Sequence, residues 1–210
     1  MGTLKNGVFG GFSGKVGPVV GASWKDVNYI RTLPSRVNDP KTKKQIKQRS
    51  RFSVVMDFLR TITPFIRVGF QSRANGRMTA FNAAMSHNMR FAVKGERQEM
   101  ELDYPNVLVA SGSLDITSGA RAEIVGCELQ VEWETERPGN TRRDDMAMVL
   151  ACNTTKRESV YELNAGKREA MKAVLRLPRG WEGDAIETYL AFKTADGSMV
   201  SDSVYMGRYS

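Results

Sequence analysis

The chain has 210 residues, a formal net charge of +8, 41% apolar residues and 26% charged residues. That balance is too apolar for wholesale disorder, and no run approaches the roughly 20 apolar residues of a membrane-spanning helix. One histidine and two cysteines argue against His/Cys metal sites and against Ser-His-Asp or Cys-His nucleophiles.

The opening segment is glycine-rich, with Gly2, Gly7, Gly10, Gly11, Gly14, Gly17 and Gly21 among its first 21 residues. Glycine disfavours helix and admits unusual backbone angles, so bends and short extended pieces are predicted. Pro18–Trp24 and Val27–Leu33 flank Lys25-Asp26 and predict a hairpin. Pro34, Asn38, Asp39 and Pro40 then interrupt the chain. A helix follows, capped either by Asp39 ahead of Pro40 or by Thr42 with Gln45 three residues on. Its apolar face is Phe52, Val55, Met56, Leu59 and Ile62, and Pro64 is expected to stop it after Thr63. Lys44, Lys47 and Arg51 make a basic stripe beside that face, first read as a solvated flank. Phe65–Phe70 reads as a connector. A second helix is predicted over about Arg77 to Lys94, with Met78, Phe81, Met85, Met89 and Ala92 as its stripe and Gly95 as its cap.

Beyond Gly95 the pattern turns to strands. Cys127, Leu129, Val131 and Trp133 alternate with Glu128, Gln130, Glu132 and Glu134, which predicts one buried and one acidic face. Met100–Tyr104, Met146–Cys152, Ser159–Leu163, Met171–Leu177, Ile186–Thr194 and Met199–Met206 complete a series separated by turn signals such as Pro138-Gly139-Asn140 and Ala195-Asp196-Gly197. Such spacing predicts an antiparallel β-sandwich of immunoglobulin or fibronectin III type. The fold expectation is therefore α+β: a glycine-rich module with two amphipathic helices, then the sandwich.

The charge is unevenly spread. Residues 1–95 hold 17 Lys and Arg against Asp26, Asp39 and Asp57, while residues 96–210 hold 14 against 20 acids. The halves are +14 and −6, and together with the change from helices to strands after Gly95 they give the expected domains as 1–95, a basic glycine-rich hairpin and two-helix module, and 96–210, an acidic β-sandwich. A basic module points to polyanions, or to the acidic half of its own fold.

Several segments carry a resemblance. They are Gly7-Val8-Phe9-Gly10-Gly11-Phe12-Ser13-Gly14-Lys15-Val16-Gly17, Trp24-Lys25 with Tyr29-Ile30-Arg31, Asn38–Thr42 leading into Gln48–Phe52, Phe81–Ser86, and Thr188–Phe192 with Asp196-Gly197. Together they resemble an uncharacterised family of Bacteroidetes proteins labelled domain of unknown function 6266. The resemblance spans essentially the whole chain and implies no activity and no catalytic residues. Asn38 to Phe52 is also similar to segments of small phage-encoded proteins.

Chemical constellations are sparse. Gly14-Lys15 is not a phosphate-binding loop, because Phe9 stands where glycine is needed and Val16 where Ser or Thr is needed. The pairs Gly10/Gly14 and Gly17/Gly21 have a spacing that would let another backbone approach, although in a segment containing Pro18 turns and bends are the better explanation. His87 has no Cys or acid one helical turn away and reads as a surface or satisfied histidine. Cys127 and Cys152 read as two buried thiols on separate strands. Asp144-Asp145 offers at most a weak metal site. No metal, cofactor or small-molecule substrate is implied.

These readings point to a non-enzymatic structural or interaction protein that self-assembles, a phage-derived particle component being one setting. Gly10, Gly11, Gly14 and Gly17 would make the subunit contact, drawn to Glu128, Glu132 and Glu134 of the next copy, so that salt weakens assembly. The alternative is a nucleic-acid binder. In that reading Lys41, Lys43, Lys44, Lys47, Arg49 and Arg51 contact phosphates, and Trp24 and Tyr29 stack on bases. With no apolar leader, the expected location is the cytoplasm, or the virion if the chain is phage-encoded.

Overall fold

The computed structural model describes residues 3–4, 10–24, 27–33, 41–76, 78–95, 99–134 and 139–210. The chain divides into two compact units, Met1–Thr42 and Lys43–Ser210.

The first unit is a four-stranded antiparallel sheet. Strands β1 (Thr3–Leu4), β2 (Phe12–Val16), β3 (Val19–Trp24) and β4 (Val27–Thr32) lie in that order. Gly17-Pro18 joins β2 to β3 in two residues. Gly17 has φ +56°, which suits the first position of a tight hairpin turn that glycine alone enters without strain. Strand β3 pairs with β4 from Val19↔Thr32 to Trp24↔Val27, around Lys25-Asp26, which lie outside the described residues. Gly21 is needed for a different reason, since a Cβ there would run into the backbone oxygen and ring of Phe12. The sequence predicts only one of these hairpins.

The second unit opens with helices α1 (Lys43–Thr61), α2 (Thr63–Gly69) and α3 (Ala80–Phe91). Helix α1 starts immediately after Thr42. The Asp39-Pro40 alternative, the Pro34–Pro40 breaker and Arg77 lie outside the described residues. Pro64 does end α1, but it sits in the first turn of α2, where its missing N–H costs nothing. The expected connector Phe65–Phe70 is therefore mostly helix, and Phe65, Ile66 and Phe70 are buried. Thr79 caps α3, accepting a hydrogen bond from the Asn82 N–H at 3.1 Å. The chain leaves helix at Ala92, because Val93–Lys94 (β5) pairs with Glu101–Leu102 (β6).

The remaining strands are β7 (Arg121–Val125), β8 (Glu128–Glu132), β9 (Met146–Asn153), β10 (Glu158–Lys167), β11 (Lys172–Arg176), β12 (Ile186–Lys193) and β13 (Val204–Tyr209). They form a four-stranded antiparallel sheet, β10-β9-β12-β13, and a three-stranded one, β11-β8-β7. One cluster of buried residues joins the two sheets: Leu129, Val131 and Trp133 meet Ala173, Leu175, Val149, Leu190 and Phe192. A second cluster lies on the other face of the four-stranded sheet, where Val55, Leu59, Ile62, Phe65 and Ile66 pack with Met148, Leu150, Tyr189 and Ala191. Strands β9 and β12 are thus covered on both faces, which is why they read as continuous apolar runs rather than alternations.

The architecture is mixed α+β with several antiparallel sheets. It differs from the expected two-helix N-terminal module. The unit formed by Met1–Thr42 contains strands and no helix among its described residues, and all three described helices belong to the second unit. The boundary expected at 95/96 falls inside that unit, because the helices need the outer face of β9 and β12 to bury their apolar stripe.

Candidate functional site

The N-terminal sheet sorts its side chains onto two faces. Opposed residues in antiparallel strands share a face. The register rows Lys15–Val20–Arg31, Ala22–Tyr29 and Trp24–Val27 therefore lie on one side. Gly14–Gly21–Ile30, Val16–Val19–Thr32 and Ser23–Asn28 lie on the other, together with Phe12 over Gly21. We call these the cationic face and the glycine face. Trp24 is 45% exposed, Tyr29 46% and Ile30 64%, and Gly21 is the one buried residue among those described in this sheet. Strand β4 forms an edge and is exposed at all six positions.

The structure therefore brings Trp24 and Tyr29, the two predicted stacking residues, onto one face and adds Lys15 and Arg31 to them. Of the predicted contact glycines, Gly17 serves the turn and has open space around it, Gly14 pairs with Gly21 inside the sheet, and Gly10 and Gly11 precede β2.

The predicted phosphate-contact residues cluster differently. Lys43, Lys44, Lys47, Arg49 and Arg51 occupy the first nine residues of α1, with Lys41 just before it. Lys43, Lys44, Lys47 and Arg51 fall within about a third of the helix circumference, and Arg49 points to the other side. Positions 43–49 are all exposed, and the first turn has no acid. Cations at a helix N-terminus oppose the helix dipole, and like charges four residues apart repel, so helix stability gains nothing from this stripe.

The acidic strand face is not acidic once its neighbours are placed. Glu132 lies opposite Arg121 on one side and Lys172 on the other, and Glu128 lies opposite Arg176. With Glu123 added, the outer face of the three-stranded sheet carries three acids and three bases. Glu134 lies beyond the strand and accepts a hydrogen bond from the Ser118 hydroxyl at 3.2 Å. The expected acidic docking surface is thus corrected to a charge-balanced one. Single-strand reading could not reveal this, because the compensating residues come from two other strands.

A cavity of about 440 Å³ opens between α1, the β6 region and the β9–β10 hairpin, lined by Asp57, Tyr104, Cys152, Arg157, Glu158 and Ser159 among others. Burial pushes the Cys152 thiol up to about 12, and burial likewise pushes the Tyr104 hydroxyl to about 12. Neither ionises near neutral pH. The hydroxyls of Ser159 and Thr61 are 2.8 Å apart and bonded to each other. Cys127 is half-buried in the turn between β7 and β8, not on a strand as expected, and both cysteines are free thiols. His87 packs against Phe91 at 4.9 Å between ring centres, and burial lowers its pKa. Asp145 is buried against Arg168 rather than set in a metal site. Among the described residues no three of His, Cys, Asp or Glu are placed to hold a metal ion, and no helix is long and apolar enough to cross a membrane.

A family model described as a family of unknown function, DUF6266, matches residues 11–207. The chain belongs to this family. A comparison of this DUF6266 protein with curated proteins finds no match. The matched span takes in β2–β4 of the N-terminal sheet and the second unit from its start into β13, so the family's pattern includes most of both units.

Proposed function

We propose that this protein is a non-enzymatic interaction protein that self-assembles through its N-terminal sheet. The observation that supports this reading is β4, an edge strand exposed along its whole length, with Val27, Tyr29 and Ile30 among its six residues. Sheets normally protect such an edge with lysine, proline, a bulge or a covering segment, and an unprotected edge is a template for another strand. The opposite edge, β1, is two residues long, which favours β4 pairing with β4 of a second copy about a two-fold axis. Antiparallel pairing with Tyr29 opposite Tyr29 sets Arg31 opposite Val27, so no like charges meet. Because the outer face of the three-stranded sheet is charge-balanced, strand pairing and apolar burial drive the contact, not charge. Sedimentation of the full chain should give a concentration-dependent dimer that resists salt. Deleting residues 1–33, or Ile30→Lys, should leave a monomer. A monomer at every concentration would overturn the reading.

We further propose that β7–β13 form a sandwich of fibronectin III type. Counted within that run, the strands fall as first-second-fifth and fourth-third-sixth-seventh. An immunoglobulin constant domain groups first-second-fifth-fourth against third-sixth-seventh, so moving one strand across yields this order. Cross-strand nuclear Overhauser contacts between β10 and β9, and their absence between β10 and β11 backbones, would test it.

A further inference from the structure

We propose that the cationic face of the N-terminal sheet is a stacking platform for single-stranded nucleic acid. Three rows cross this face, about 6.5 Å apart along the strands. The first carries Lys15 and Arg31 on either side of Val20, roughly 10 Å apart across two strand spacings. The second carries Tyr29 and the third Trp24, each ring beside a smaller neighbour, Ala22 or Val27. Two half-exposed aromatic rings thus stand in adjacent rows, next to a row of two exposed cations.

Bases have apolar faces and a charged backbone, and proteins that hold them without reading sequence supply rings for the first and cations for the second. The face matches both requirements. The described residues of this unit include no acid, and its two acids, Asp26 and Asp39, lie outside them. A bound sugar would be better served by carboxylates and amides than by Lys15 and Arg31. Ile30 lies on the glycine face, so a change there perturbs the β4 edge without altering the cationic face, which edge pairing leaves open although Tyr29 belongs to both.

Trp24 supplies its own readout. Trp133 and Trp181 are buried at 4% and 3% exposure, so a ligand stacking on the sheet quenches Trp24 alone. The experiment titrates the full chain with an oligothymidine, with inorganic polyphosphate, and with anionic phospholipid vesicles. Oligothymidine should quench the fluorescence, with an affinity whose logarithm falls linearly with log salt. Tyr29→Ala should weaken binding about tenfold, and Lys15→Glu with Arg31→Glu should flatten the salt dependence. Ile30→Lys should keep the quench even where it abolishes assembly. Circular dichroism of each variant confirms that it is folded. No quench at low salt would overturn the proposal, as would quenching by vesicles but not by oligothymidine. Polyphosphate binding as tightly as oligothymidine, with Tyr29→Ala silent, would do the same. So would loss of the quench in Lys43→Glu, Lys44→Glu, Lys47→Glu with Tyr29→Ala unaffected, which would move the site to α1.

Discussion

The Arg168 Nε lies 3.2 Å from an Asp145 carboxylate oxygen, and both side chains are buried. The guanidinium carbon also sits 3.9 Å from the centre of the Phe192 ring, while Arg168 Nη2 donates to the Asp115 carbonyl at 2.9 Å. Asp145 accepts from the Arg142 N–H at 2.9 Å. The pair closes one end of the core between the two sheets. Removing one partner strands a buried charge, which costs about 3–5 kcal/mol. Asp145→Ala should therefore lower the urea midpoint sharply. A joint Asp145→Leu, Arg168→Met change should cost less than either single change, and a larger loss in the double variant would contradict this account.

Asp196 is held by its own turn. Its carboxylate accepts from Thr194 Oγ1 at 2.5 Å, from the Ser198 N–H at 3.0 Å and from Ser198 Oγ at 2.8 Å, and these bonds depress its pKa to about 2, the Thr194 bond contributing most. A carboxylate depressed in the folded state stabilises fully above its unfolded pKa of about 4, and that gain disappears as pH falls through about 2. Asp196→Ala should lower the melting temperature at pH 7, and the gap from the parent should close between about pH 4 and pH 2. A gap independent of pH would show that the charge is not involved.

The two thiols should differ in reactivity. Cys152 is buried and its pKa is raised by that burial, whereas Cys127 stands half-buried in a turn. A thiol reagent at pH 8 should modify one cysteine per chain quickly, and Cys127→Ser should remove that fast phase. Two fast thiols, or a fast phase surviving in Cys127→Ser, would count against the placement of β9.

Two glycines of the N-terminal sheet should respond unequally. Gly17→Ala places a methyl in open space at φ +56°, for a strain of about 1–2 kcal/mol. Gly21→Val drives a side chain into Phe12. Limited proteolysis should leave the Gly17→Ala sheet largely protected and open the Gly21→Val sheet. Equal cleavage would deny Gly21 its packing role.

Charge reversal tests the balanced face. Lys172→Glu sets a like charge opposite Glu132 and should cost about 0.2–1 kcal/mol, read as a small drop in melting temperature. Glu132→Lys, flanked by Arg121 and Lys172, should cost at least as much.

Several of these features are legible in the chain, and others are hidden for physical reasons. The alternation from Leu129 to Trp133 is plain because β8 has one face in the core and one in water. Strand β7 escapes a sequence reading: Ala122 and Ile124 alternate with charged residues, but the run is short and weakly apolar. Pro64 marks a real break, yet composition does not say whether a proline ends one helix or begins the next. The basic stripe of α1 follows from helical period alone. Its acidic counterpart does not survive, since Arg121, Lys172 and Arg176 meet Glu128 and Glu132 only through a register that no single strand encodes. The cationic face is half visible, as Trp24 and Tyr29, and the pairing of β2 with β3 supplies Lys15.

Strands β9 and β12 serve two cores at once, and this has a temporal consequence. Within the second unit α1, α2 and α3 leave the ribosome first, but the surface that buries Leu59, Phe65 and Ile66 is made of segments synthesised long afterwards. The helices must wait with their apolar stripe uncovered until the sheet closes beneath them. The earliest-made part of the second unit is thus the last to be secured, and nascent chains stalled before β12 should be sensitive to proteases throughout the helical region.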